Sequence, residues 1–344
     1  REVAAPRNRF AGSIFLFDQS MTVNSFHKNA QASYQPLYEL WISPRIYYSP
    51  WEGVKFGARF DFFKEMFTNH EETTDRHETR VGDPWLTASF SRPMTFINRH
   101  PATRWAVGIV AKLPFSKESR ADGQYLSIGP TASATVGFPL RGLDATWFPD
   151  MSFGLSAQYQ HAFTRATTPT GRDFGVPGQD LEGNARINDQ VRSQTLVGDS
   201  LIFALSGTLN ITPKFNFSMS YLFIERFSHE PTDATFRGRV VERSPNDTRL
   251  RQLSWFIASL NYDPIKELEV SLGYYNLNTT VGPNGQYRSP FTSPEARVFL
   301  SLTVNLDVLY EDLRHREPTK TQPAPLRSTT ARATFPTSQP QPSL

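Results

Sequence analysis

The chain has 344 residues, 20% of them Asp, Glu, Lys or Arg, a net charge of +3 and no cysteine. That composition excludes a disulfide framework, a thiol nucleophile and a cysteine-ligated metal. A mean hydropathy of −0.44, with no apolar run near the ~18–20 residues of a spanning helix, excludes a helical membrane bundle.

Five basic and three acidic residues between Glu311 and Leu344 hold most of the net charge, so the remainder has no concentrated basic face for nucleic acid. Arg stands first, not Met, and the expectation is a processed chain whose signal peptide has been removed. Against the polar average stand 27 Phe, 12 Tyr and 6 Trp.

The first expected strand, 10–18, is apolar on both faces. Phe10, Ile14 and Leu16 oppose Ala11, Phe15 and Phe17, so its register stays open, with a plug or arm as the alternative. Strands are expected next at 36–48 and 53–66. In the second of these Val54, Phe56, Ala58, Phe60 and Phe62 alternate with Lys55, Gly57, Arg59 and Asp61. Alternate side chains of a strand point to opposite faces, so one face is apolar and the other wet. The pattern continues through 82–92, 104–114 and 125–138, then 151–164, 198–212, 214–227, 250–263, 267–278 and 296–309. No stretch of comparable length carries a helical stripe, and the chain reads as all-β.

A soluble sandwich alternates too, but its strands usually run about 5–6 residues. Here alternation persists for the roughly 9–11 residues that a tilted strand needs to cross a bilayer. The wet face is rich in Ser, Thr, Gly, Asn and Gln, and aromatic residues gather near strand ends. The expectation is a transmembrane antiparallel up-and-down β-barrel of the bacterial outer-membrane type, with about twelve strands over residues 1–310. Tight connections such as Ser49-Pro50-Trp51-Glu52 and Thr212-Pro213 alternate with long polar ones at 67–81, 165–197 and 228–249. That alternation places both termini on the short-turn, periplasmic side. Residues 311–344 are expected to be a proline-rich periplasmic tail, disordered unless a partner protein binds 317–344.

Arg80-Val81-Gly82-Asp83-Pro84-Trp85 opens one strand, Lys112-Leu113-Pro114-Phe115 ends the next, and Val197-Gly198-Asp199 opens another. This set, covering some 40 residues, resembles the outer-membrane channels grouped as the phenol-degradation-pathway (MetA-type) porin-like family. The chain departs from that pattern after Leu113-Pro114, where Phe115-Ser116 stand in place of a Thr and a Gly. The resemblance implies a small-solute channel without catalytic residues.

By parity Glu39, Arg45, Lys55, Arg59, Asp61, Lys112, Arg226, Glu269, Arg297 and Asp307 point inward. Gln158 and Gln160 add neutral hydrogen-bonding groups on the same face. Lys55, Arg59, Lys112 and Arg297 would favour anions in an aqueous path, unless pairs such as Arg59–Asp61 fill the lumen instead. Of the seven histidines, His70 and His77 share an acidic loop that reads as solvated; no metal site and no cofactor are expected.

His161 faces the lipid side, where a barrel lipid hydrolase would keep its Ser-His pair. The residue two along is Phe163, so the pair is absent locally. The readings that remain are a channel for small polar or weakly anionic solutes, a lipid-embedded anchor whose tail binds a periplasmic partner, and an outer-face hydrolase.

Overall fold

The computed structural model describes residues 8–23, 37–67, 77–140, 149–165, 167, 195–230, 234–236, 239–241, 249–281, 286–293 and 296–314. In chain order these form β1 (Ile14–Thr22), β2 (Tyr38–Tyr48), β3 (Val54–Arg59), β4 (Phe62–Phe67), β5 (Thr79–Val81), β6 (Trp85–Pro93) and β7 (Arg104–Lys112). Helix α1 (Lys117–Ala121) leads into β8 (Gln124–Pro139), β9 (Asp150–Thr164), β10 (Val197–Thr212) and β11 (Phe215–Ser228). A small hairpin, β12 (Ala234–Phe236) and β13 (Arg239–Val241), stands apart. The chain closes with β14 (Leu250–Ile265), β15 (Leu268–Thr279), β16 (Arg297–Asn305) and helix α2 (Leu306–Arg314).

Every ladder is antiparallel, and β1 pairs with both β16 and β2, so the sheet closes on itself. β3 with β4, and β5 with β6, are each one stave interrupted, so the wall is a closed barrel of twelve staves. Among the described residues no helix is long and apolar enough to cross a membrane; a barrel crosses with its strands.

Both interruptions have a local cause. Phe60 lies opposite Pro44, which accepts from the Phe60 N–H at 3.1 Å but has no N–H of its own to return. At Gly82-Asp83-Pro84 the register slips by one residue between β5 and β6. The slip brings both Arg80 and Trp85 to the inner face.

The outer surface carries two aromatic belts. Near the tight turns lie Phe90–Trp105, Phe138–Phe153 and Phe215–Tyr262, with ring centroids 5.7, 6.3 and 6.0 Å apart. Toward the long connections lie Tyr125–Phe163 and Phe256–Tyr274. Exposed aliphatic side chains such as Leu155 and Leu272 fill the band between them. This is the surface that a bilayer solvates. Above the upper belt Asn276 and Asn278 face outward, yet a strap of residues 288–293 covers them. Asn276 donates to the Pro290 carbonyl at 2.9 Å, and Phe291 packs 5.1 Å from Phe256.

Three sequence expectations need correction. The first stave is Ile14–Thr22, not 10–18, because residues 9–12 turn back at the tight-turn end and Gly12 takes φ 93° there. Its inner face is Leu16, Asp18, Ser20 and Thr22, and its outer face includes Phe15 and Phe17. That fixes the register and removes the plug alternative for this segment. The last stave stops at Asn305 instead of running to residue 309. Asn305 pairs with Ile14, the first residue of β1, so an extended chain beyond it would find no partner. The chain turns helical instead, and α2 crosses the expected 310/311 division. Its first-turn N–H groups on Leu306 and Asp307 donate to the Ser13 carbonyl. The third correction follows: α2 is a helical stripe, with Leu309, Tyr310 and Leu313 on one exposed face. The rest of the tail lies outside the described residues, as do His27, His70, His315 and most of the 165–197 connection.

Asp307 locks the two chain ends together. Its carboxylate accepts from Gly12 N–H at 2.8 Å and Val308 N–H at 2.9 Å, while its carbonyl accepts from Asn8. Nearby, the Lys266 ammonium is held above the ordinary lysine range by its hydrogen bond to Asp312. Asp307→Ala removes the acceptor for both N–H groups and should cost about 1 kcal/mol. Urea unfolding followed by tryptophan fluorescence checks this, and an unchanged midpoint would mean that the seam does not depend on Asp307.

Candidate functional site

The inner face of the barrel divides into two sectors. On staves β2 to β6 it is charged and aromatic. Asp61, 1% exposed, accepts from Arg59 Nε and Trp41 Nε1, both at 2.9 Å. The Arg59 guanidinium lies between two indoles, 5.2 Å from Trp41 and 5.9 Å from Trp85. Arg45 stands over the same Trp41 ring at 5.6 Å. Such stacking suits guanidinium, whose planar face desolvates more easily than an ammonium.

Toward the long connections Arg80 reaches Glu39 at 3.7 Å, Glu65 at 3.6 Å and Glu118 at 3.8 Å. Arg297 also approaches Glu39, at 3.5 Å, and stands over Tyr275. Lys55 sits over Tyr47 at 4.3 Å, near the tight-turn end.

The two sequence runs at Gly82-Asp83-Pro84 and Lys112-Leu113-Pro114 meet in space. Asp83 pairs with Lys112 Nζ at 3.2 Å and accepts from the Ser116 N–H at 2.7 Å and from the Ser119 hydroxyl. Leu113 N–H donates to the Pro84 carbonyl at 3.0 Å. Asp83 thereby anchors α1, whose N-cap is Ser116, over the bulge between β5 and β6. Gly82 is needed for a close approach, since a Cβ there would lie 3.0 Å from Asp61 Cβ.

On staves β10 to β15 part of the inner face is apolar instead, above a lower part that carries Ser218, Ser259, Asn216 and Asn261. Ile202, Ala204, Leu222, Ile224, Leu253 and Trp255 form one buried cluster, with Ile257, Tyr275 and Leu277 packed against it. At its loop-end edge Arg226 and Arg251 face each other directly across the β11–β14 ladder.

Arg45, Lys55, Arg59, Asp61, Lys112, Gln158, Gln160, Arg226, Glu269 and Arg297 all fall on inward-facing positions of their staves. The structure brings Arg45, Arg59 and Asp61 together and joins Arg297 to Glu39. Lys112 stands apart with Asp83, and Glu269 lies lower, accepting from Ser271. The ion pairs on Arg59, Lys112 and Arg297 offset much of the positive field expected from those residues.

Sequence parity alone could have added Arg251 and Trp255, which share the inner face with Leu253. The same parity gives Glu65, on the face of Arg59 and Asp61, whereas Arg80 needed the register slip to be known. Trp41 shares the inward parity of Glu39 and Arg45, and the lumen uses it and Trp85 as guanidinium platforms.

His161 faces outward, as its parity implies, and its Nδ1 lies 2.8 Å from Asp199 Oδ1. Tyr159 also donates to Asp199. Among the described residues no serine or threonine hydroxyl bonds His161, and no group of three His, Asp or Glu could hold a metal.

The closed wall, its alternating faces and its outer aromatic belts define a transmembrane antiparallel β-barrel of twelve staves. No protein-family model matches the chain, and no curated protein matches it. Among solved structures it is similar to the NanC porin at 12% identity, covering 84% of this chain and 98% of that one with a TM-score of 0.42. It is also similar to the monoaromatic hydrocarbon channel CymD at 9% identity, covering 86% and 89% with a TM-score of 0.35. Escherichia coli outer-membrane phospholipase A is similar at 11% identity, covering 89% and 94% with a TM-score of 0.36. Likenesses this distant concern the fold alone.

Removing the Asp61 carboxylate leaves Arg59 and Trp41 buried without their shared acceptor. Asp61→Ala should therefore destabilise the barrel by about 3 kcal/mol, whereas Arg59→Leu with Asp61→Leu should cost clearly less. Urea midpoints of the two variants in the same detergent decide it; equal losses would show that the pair is not a coupled unit.

Proposed function

We propose that this protein is a porin-like channel of the bacterial outer membrane for passive diffusion of small polar or weakly anionic solutes. In this reading the long connections face outside and both termini are periplasmic. The observation that carries it is the placement of guanidinium groups along the inner wall, with Arg45 in one sector and Arg226 and Arg251 in the other. Guanidinium groups lining a narrow aqueous path attract anions and slow cations. The short runs at Gly82-Asp83 and Lys112-Leu113-Pro114, which resemble the MetA-type family, support the same reading because the structure joins them into one anchored unit. Reconstituted protein should give discrete steps of current in a planar bilayer. Lys55→Glu should move the reversal potential under a KCl gradient toward cations. A barrel that carries no current would end the channel reading, and an unmoved potential would remove Lys55 from the path.

A second reading, the outer-face hydrolase, gains one observation. Asp199 orients the His161 imidazole as an acid–base residue would require. The channel reading predicts that His161→Ala leaves conductance unchanged and that the parent protein releases no fatty acid from phospholipid micelles. Fatty-acid release that His161→Ala abolishes would favour the hydrolase.

A further inference from the structure

Directly opposed inward residues form rows around the apolar sector. The row nearest the long connections is Gln160, Ser200, Arg226 and Arg251. The next is Gln158, Ile202, Ile224 and Leu253, and below it come Ala204, Leu222, Trp255 and Leu277. A water-filled barrel is polar inside, and the second and third rows break that rule over four neighbouring staves.

The first row breaks another. Like charges directly opposite each other destabilise a ladder, yet neither Arg226 nor Arg251 forms an ion pair among the described residues. Three further groups in these rows lack a partner among the described residues. Gln158 Nε2, Gln160 Nε2 and Trp255 Nε1 are buried and make no hydrogen bond. Trp255 is 2% exposed and Gln160 8%. All three are donors. Places where a sequence departs from its own folding rules without local compensation are where function is expected.

We infer that this sector is a binding seat for a monoanion with an apolar body, such as a carboxylate on a short alkyl chain or single ring. The inference deepens the channel reading and rests on it for the route of entry. The anionic head neutralises Arg226 and Arg251 and accepts from Gln160. The body lies along Ile202, Ile224, Leu253 and Leu222, where water is already excluded. Ile224 and Trp255 are 1% and 2% exposed, so a solute must part what covers them. A small hydrophilic anion gains nothing from doing so, whereas an amphiphilic one recovers the apolar contact.

The test uses full-length protein folded in detergent, with tryptophan fluorescence reading equilibrium binding of hexanoate, acetate and hexanol. The same solutes are then applied to single channels in a planar bilayer. Hexanoate should bind saturably and interrupt the current. Acetate and hexanol, each lacking one half of the ligand, should bind about tenfold more weakly or worse. Arg226→Gln with Arg251→Gln should weaken hexanoate about tenfold and leave hexanol unchanged. Arg226→Lys with Arg251→Lys, which keeps the charge and controls for folding, should retain most of the affinity. Equal binding of acetate and hexanoate, or no hexanoate binding by the folded barrel, overturns the inference. Current without hexanoate binding would leave the channel reading standing and remove this seat. Hexanoate binding to a barrel that carries no current would do the reverse.

Discussion

In hydrocarbon every backbone N–H and C=O must find its partner within the protein, and the architecture follows from that requirement. A strand cannot satisfy itself, so the sheet must close, and the pairing of β1 with both β16 and β2 closes it. The same requirement ends the wall. Where β1 has no residue left to pair with, the chain leaves the sheet at Asn305 and becomes α2, with Ser13 and Asp307 satisfying its first turn. Closure also explains why a chain of negative mean hydropathy can be a membrane protein. Lipid needs apolar side chains at only alternate positions, and the rest are free to be Ser, Thr, Gly or charged.

Where the wall loosens, the lumen gathers its carboxylates. The two interruptions, opposite Pro44 and at Gly82-Asp83-Pro84, lie on adjoining staves, and Asp61 and Asp83 sit at them. Each carboxylate collects several donors: Arg59 and Trp41 at Asp61, and Lys112, Ser116 and Ser119 at Asp83. Buried charges are tolerable only when paired. In this sector the charges of Arg59, Arg80 and Lys112 each have a carboxylate within 4 Å, although atoms of Arg59, Glu65 and Arg80 make no hydrogen bond. The opposite sector differs. Among the described residues its arginine pair has no carboxylate, and its indole and amide donors have no acceptor. One half of the interior pairs its cations with carboxylates, and the other, among the described residues, sets two arginines side by side without one.

The fold was legible because strand parity repeats with period two over stretches longer than chance or a sandwich would give. Runs such as 125–138 and 214–227 needed only a residue or so of adjustment at their ends. The first stave was not legible: Phe15 and Phe17 face lipid while Ile14 and Leu16 face the lumen, so both faces read as apolar until Asp18 and Ser20 set the register. The site was legible as a list of inward positions and not as a set of partners. Parity tells which way Arg59 and Arg226 point. It does not tell that one meets Asp61 and the other meets a second arginine, because cross-stave register depends on connection lengths and bulges. Helix α2 is hidden for a related reason, since its first residues alternate well enough to pass for four more strand positions.

Lumen, site and channel all require the wall to be a closed barrel in the membrane, and migration on a gel tests that most directly. Protein extracted from membranes with detergent is run in SDS with and without boiling. A closed barrel keeps its ladder in unboiled SDS and migrates at a different apparent size from the boiled chain. A single unshifted band, from a protein that stays in solution without detergent, would contradict the account.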